Sequence, residues 1–185
     1  VGLSEDAVYA FTNRQLYALA LRDGELVELD SVRVRKTANP ITGRVRLSVG
    51  GGLATAVGRR GPAVIDIADP TSLRLITEAS TGALGWKAMV HTGSGIGFAA
   101  VGANATGPHN VGLYDVSVPE NNNALLTEFG TPGTAQALTI FNGIGYIADG
   151  ERGLQVFNFL APDTGDEAPQ VSLRVNAPGL QIAEG

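Results

Sequence analysis

Residues 62–70 read P-A-V-I-D-I-A-D-P, residues 111–119 read V-G-L-Y-D-V-S-V-P, and residues 153–159 read G-L-Q-V-F-N-F. Laid over one another, they put Asp66, Asp115 and Asn158 in one slot, at separations of 49 and 43 residues. A strand-like segment precedes each copy, at residues 53–57, 96–101 and 144–149. A period of this length, filled with short alternating strands, corresponds to one four-stranded propeller blade. Such a unit is too small to bury its apolar face alone, and radial stacking against its neighbours does so. The expected fold is all-β: a β-propeller of about four consecutive four-stranded blades, incomplete at both ends.

Composition points the same way. Of 185 residues, 44% are apolar and 17% charged, the balance of a globular chain. The apolar residues come in short runs broken by 25 glycines and 9 prolines, which suits strands and tight turns more than long helices. Net charge is −5, and the densest basic stretch, residues 33–36 (R-V-R-K), reads as the exposed face of a strand. Nucleic acid is disfavoured as a partner because counterion release needs a concentrated positive surface. With no cysteine, disulfides, thiolate metal sites and cysteine nucleophiles are excluded, and the composition fits an exported protein. No apolar run reaches the ~20 residues of a transmembrane helix.

Four blades are expected at approximately residues 1–38, 39–82, 83–131 and 132–160, forming a partial propeller over 1–160. The first offers strands at 7–12, 16–21 and 26–34, with Asp23-Gly24 as a tight turn and only residues 1–4 left for an innermost strand. The second offers 44–49, 53–57, 63–67 and 73–78; the third 86–90, 96–101, 111–116 and 124–129. The third also carries the longest loop within a repeat, residues 102–110 (G-A-N-A-T-G-P-H-N), the natural seat of a specific function. The fourth offers 136–141, 144–148 and 153–159, with Asn142-Gly143 as a strong hairpin signal. The recurring aspartates Asp66, Asp69 and Asp115 follow third strands, where a carboxylate can accept backbone N–H bonds and close the turn.

These repeats resemble a bacterial propeller family named for its L-V-I-V-D motif, with units of the type "Y-V-A-D … G-L-x-I-I-D-V-S-D-P". The matching stretches are 146–150 (Y-I-A-D-G) with 153–159, 64–70 (V-I-D-I-A-D-P) and 113–119 (L-Y-D-V-S-V-P), so the resemblance covers about residues 45–160. The first unit departs from it, lacking the aspartate and the Asp-Pro turn, and the fourth has Asn158 in the aspartate slot. The resemblance implies a surface-exposed or exported protein, often multidomain, and brings no catalytic residue with it. Residues 161–169 (A-P-D-T-G-D-E-A-P) read as an exposed linker. Residues 170–185 read either as the start of an immunoglobulin-like domain or as the outer strand of the last blade, followed by the next inner strand.

Local chemistry is sparse. His91 and His109 are the two histidines; His91 reads as a blade-edge residue. His109, with Asn110 beside it in the long loop, is the better ligand candidate. Asp149 and Glu151 flank Gly150 in a turn and are further ligand-contact candidates. Asp163, Asp166 and Glu167 cluster oxygens within 163–167, which could suit Ca²⁺; a solvated linker is the alternative reading. No His-x-x-x-His spacing or serine elbow is present. The Gly93-x-Gly95-x-Gly97 run joins two strands and lacks the following helix that phosphate binding needs. Trp86, Tyr9, Tyr114 and Tyr146 lie in expected strands and read as blade core. Residues 104–106 fit an N-glycosylation acceptor, relevant in a eukaryotic secretory host. No catalytic, cofactor or metal residue is assigned.

The function expected from this pattern is a non-enzymatic exported or cell-surface scaffold presenting inter-strand loops to a protein or glycan. The remainder of its own propeller is an expected partner. The alternatives are a carbohydrate-active or other enzyme with its site in the propeller funnel, and a structural spacer in a multidomain adhesin.

Overall fold

A computed structural model describes residues 1–12, 14–35, 45–58, 61–78, 85–91, 94–101, 110–121, 124–159 and 171–175. Among these residues, sixteen strands form four antiparallel four-stranded sheets, each a meander of consecutive strands. The first sheet comprises β1 (Gly2–Leu3), β2 (Val8–Thr12), β3 (Gln15–Arg22) and β4 (Glu25–Arg33). The second comprises β5 (Arg46–Gly50), β6 (Leu53–Gly58), β7 (Gly61–Asp66) and β8 (Arg74–Glu78). The third comprises β9 (Trp86–His91), β10 (Ile96–Val101), β11 (Asn110–Asp115) and β12 (Ala124–Gly130). The fourth comprises β13 (Ala137–Phe141), β14 (Ile144–Ala148), β15 (Leu154–Asn158) and β16 (Val171–Val175). Two short 3-10 turns, Pro119–Asn121 and Gly150–Arg152, are the only helical elements among the described residues.

Turn chemistry sets the hairpins. Asp23 (φ 53°) with Gly24 (φ 84°), and Asn142 (φ 49°) with Gly143 (φ 72°), both take consecutive left-handed conformations. Two positive φ values in a two-residue loop match the right-handed twist of the flanking strands. The sequence repeat is also a repeat of hydrogen bonds. The residue after the Asp/Asn slot donates its N–H to the first turn of its sheet: Ile67 to Gly52 O (2.9 Å), Val116 to Gly95 O (2.8 Å), Phe159 to Gly143 O (2.8 Å). In the first sheet the same bond appears one strand further out: the Val34 N–H, just after β4, donates to Arg14 O (2.8 Å) in the β2–β3 turn.

The first strands lie at the centre. β1 contacts β5, β5 contacts β9 and β9 contacts β13, and all four line one cavity. Apolar clusters fill the gaps between successive sheets. Tyr9, Leu16 and Ala18 meet Leu47, Ala56 and Ile65 between the first two. Val57 meets Trp86, Met89 and Tyr114 between the second and third. Phe98 and Leu113 meet Leu138, Ile147 and Phe157 between the third and fourth. Strand alternation sends successive side chains to opposite neighbours, so β6, β7 and β10 are buried on both faces.

Residues 171–175 are the outermost strand of the fourth sheet, in register Leu154↔Val175 and Val156↔Leu173. Of the two readings of 170–185, the described part thus takes the propeller position and does not open a separate immunoglobulin-like sheet. The physical reason is the free edge of β15, whose backbone groups an extended V-S-L-R-V segment can pair. The linker 161–169 lies outside the described residues.

Candidate functional site

A meander divides its connections between two rims. The links from first to second strand and from third to fourth share one rim. The links from second to third strand share the other with the connections between sheets. The topology brings Asn110, Asp149 and Glu151 to this second rim: Asn110 opens β11, while Asp149 and Glu151 follow β14. Asn110 pairs through its backbone register with Val101 and Gly130. His109 and the calcium candidates Asp163, Asp166 and Glu167 lie outside the described residues.

Asp149 is fully buried, at 0% exposure. The Thr131 hydroxyl donates to its Oδ1 (2.5 Å) and the Gly133 N–H donates to its Oδ2 (2.8 Å). Its own N–H donates to Gly153 O (2.7 Å), and the Arg152 N–H reaches its carbonyl (3.2 Å). A Cβ on Gly133 would overlap that carbonyl, so only glycine lets the connecting segment come this close. Asp149 therefore ties the connection entering the fourth sheet to the β14–β15 loop, with both carboxylate oxygens engaged and no solvent access for a ligand. Glu151 stands exposed at the tip of the same loop. Thr131 and Gly133 were not singled out in the sequence; the T-P-G stretch at 131–133, ahead of β13, was the available signal.

The first rim carries the repeated aspartates. Asp66 accepts from the Ala68 N–H (3.2 Å) and pairs with Arg74 Nη2 (3.0 Å). Asp69 Oδ1 accepts from the Thr71 N–H (2.9 Å) and hydroxyl (2.6 Å), and Asp115 Oδ1 accepts from the Ser117 N–H (2.9 Å) and hydroxyl (2.6 Å). The hydroxyl bond first, then the backbone bond, holds Asp69 and Asp115 below the ordinary aspartate pKa. All three are turn-closing residues.

At the centre, the first strands line an open cavity of about 170 Å³, walled by Leu47, Val49, Met89 and Leu138 with Arg46 on its lining. On β9, the Lys87 ammonium donates to Gln136 Oε1 (2.6 Å), linking the third sheet to the approach to β13. Burial lowers the Lys87 pKa, and the Arg46 charge pushes it the same way. Trp86, Tyr9 and Tyr114 are buried, with the Trp86 and Tyr114 rings 5.0 Å apart, while Tyr146 is half-buried. Burial, then the Glu128 charge, pushes the Tyr114 phenol up to about 12. Among the described residues, no group of three His, Asp or Glu side chains is placed to hold a metal ion.

Four antiparallel sheets set around a common centre by their first strands are the architecture of a propeller. Known structures agree. A chain of the S. cerevisiae assembly of Dbp5 bound to Nup159 and Gle1 aligns over 96% of this chain and 44% of its own length, with a TM-score of 0.59 and 9% identity. The WD40 domain of Toxoplasma gondii coronin aligns over 92% of this chain and 46% of its own, with a TM-score of 0.54 and 12% identity. BamB from Moraxella catarrhalis aligns over 97% and 52%, with a TM-score of 0.51 and 16% identity. The chain has a β-propeller fold, and it spans about half the length of these structures. No family model and no curated protein sequence matches it.

Proposed function

We propose that the chain is a non-enzymatic propeller scaffold, exported or displayed at a cell surface, that recognises a protein or glycan through the loops of its second rim. One observation carries this reading: the aspartates at the turns, Asp66, Asp69 and Asp115 on the first rim and Asp149 on the second, are all engaged in holding turns and connections. The rim loops are then what remains to vary on a rigid frame, and propeller sheets are good supports for such loops. Resemblance to the L-V-I-V-D repeats and the absence of cysteine support the exported location. The assembly of Dbp5 with Nup159 and Gle1 supports protein recognition as a use of this fold.

Two measurements test it. Protease treatment of intact cells carrying the tagged full-length protein should digest it, whereas protection until lysis would refute the surface location. Biolayer interferometry against glycan and surface-protein panels should find a ligand whose binding is lost when residues 102–109 are replaced by Gly-Ser and Glu151→Lys is added. Assaying the same glycans for cleavage separates the alternatives: binding without turnover supports the scaffold, turnover an enzyme, and neither a structural spacer.

A further inference from the structure

On the first rim, between the first and second sheets, lies a groove of about 400 Å³. That is within the roughly 300–1,000 Å³ typical of ligand pockets. Its lining includes the apolar side chains of Tyr9, Val49 and Ile67. One wall is the β1–β2 turn, where Ser4 and Ala7 close a local hydrogen-bonded loop and leave Glu5 and Asp6 exposed. The other wall is built from the glycine turn before β6 and the exposed Ala68. Two bonds between the sheets hold the walls in place: the Tyr9 hydroxyl donates to Ile67 O (3.3 Å), and the Leu73 N–H donates to Asp30 Oδ2 (2.6 Å). The shape is therefore preorganised, which reduces the ordering cost of binding.

The charge around the groove has one sign. Glu5 and Asp6 are on its lining, Asp69 lies beside it, and no lysine or arginine lines it among the described residues. Arg74, further along the second sheet, is already paired with Asp66. The field reaches the groove wall: burial raises the Tyr9 pKa, and the Asp6 and Asp69 charges add to that, against the Ser4 hydrogen bond. We propose that this groove docks a peptide segment of a protein partner in which aliphatic side chains are flanked by lysine or arginine. The proposal rests on the recognition reading above but uses the opposite rim. The apolar lining receives the aliphatic side chains by burial, and the acidic wall attracts the flanking cations and repels acidic segments.

The test is fluorescence polarisation on the full-length protein with a labelled peptide in which two leucines are flanked by lysines, and a matched peptide with glutamates instead. The basic peptide should bind at least tenfold more tightly than the acidic one, and more weakly as salt rises. Glu5→Lys with Asp6→Lys should weaken it tenfold or more, with the circular dichroism spectrum unchanged because both residues are exposed. Ala68→Trp, which fills the groove without changing charge, should also weaken it. No binding by the wild type, equal affinity for the two peptides, or binding indifferent to both variants would overturn the proposal. Those results would leave the second-rim reading standing, since replacing residues 102–109 tests it separately; binding that survives that replacement refutes that reading and not the groove.

Discussion

At the scale of single residues, acidic side chains at similar-looking turns carry unequal weight. Asp149 is buried with two donors aimed at its carboxylate, so removing it strands the Thr131 hydroxyl and the Gly133 N–H inside the fold. Asp149→Ala should cost about 2–3 kcal/mol, the scale of lost hydrogen bonds to a charged group, read as a fall in the urea midpoint. Asp149→Asn should cost less, because the amide keeps one acceptor and the hydroxyl can rotate to accept. An unchanged midpoint for the alanine variant would remove the structural role. Asp69 and Asp115 instead sit in surface turns, and their depressed pKa values predict a pH dependence. Because the folded values lie below the unfolded value near ~3.9, the unfolded chain binds more protons in that window and stability rises with pH there. The contribution is present above about pH 4 and lost as pH falls through the folded pKa values. A double Asp69→Asn, Asp115→Asn variant should melt lower than wild type at pH 7 and show a flatter acid limb between pH 5 and 2. Parallel melting curves across that range would contradict the assignment.

At the scale of elements, packing between strands decides which small residues are essential. In the β14–β15 pair, Gly145 lies opposite Phe157, whose ring fills the place a Cβ would take. That ring is fully buried and makes edge contacts with Phe98 (4.8 Å between centroids) and Phe129 (5.4 Å). Gly145→Ala should therefore destabilise by about 1–3 kcal/mol through overpacking, and Gly145→Val by more. Gly50, whose Cβ would meet nothing within 4 Å, is the control: Gly50→Ala should change stability by less than ~0.5 kcal/mol in the same urea titration. If the two alanine variants behave alike, the ring is not wedged on the glycine. The strands themselves were legible in the sequence because alternation and turn dipeptides are local: the Asn142-Gly143 hairpin and the segments at 53–57, 96–101 and 144–148 follow from neighbours a few residues away. What was not legible is non-local. The two-residue β1 has too few positions to show a period. The partners of Asp149 lie 16 and 18 residues away across a connection, and the carbonyl bonded by Tyr9 lies 58 residues away in the next sheet. Such pairs exist only once the sheets have been set side by side, so composition and spacing carry no trace of them. The same holds for the groove, whose two walls come from different repeats.

At the scale of the molecule, burial is uneven across the four sheets, and that has a consequence for solution behaviour. The middle sheets are covered on both sides: Ala54 to Val57 in β6 and Phe98 to Ala100 in β10 are all buried. The flanking sheets bury mainly one side; on the other side of the fourth sheet only the small Ala137 and Ala148 are buried among the described residues. In the first sheet Tyr9, Leu16 and Ala18 are buried, while Val8, Tyr17 and Leu19 on the opposite face are half-exposed. In the fourth, Ile147 and Phe157 are buried, while Tyr146, Leu154 and Val156 are half-exposed. Both outward faces carry the same apolar, β-favouring side chains that meet inside the molecule, and contiguous apolar sheet faces of this kind promote association. The chain should therefore self-associate as its concentration rises, with copies meeting through these two faces. Sedimentation velocity should show the mean sedimentation coefficient increasing with concentration. Leu19→Lys combined with Val156→Lys places a charge in the middle of each outward face and leaves the cores between the sheets untouched. That variant should sediment as a monomer while keeping a wild-type far-ultraviolet circular dichroism spectrum. A wild-type chain that is monodisperse and monomeric at every concentration, with cooperative unfolding, would show that the flanking faces cover themselves.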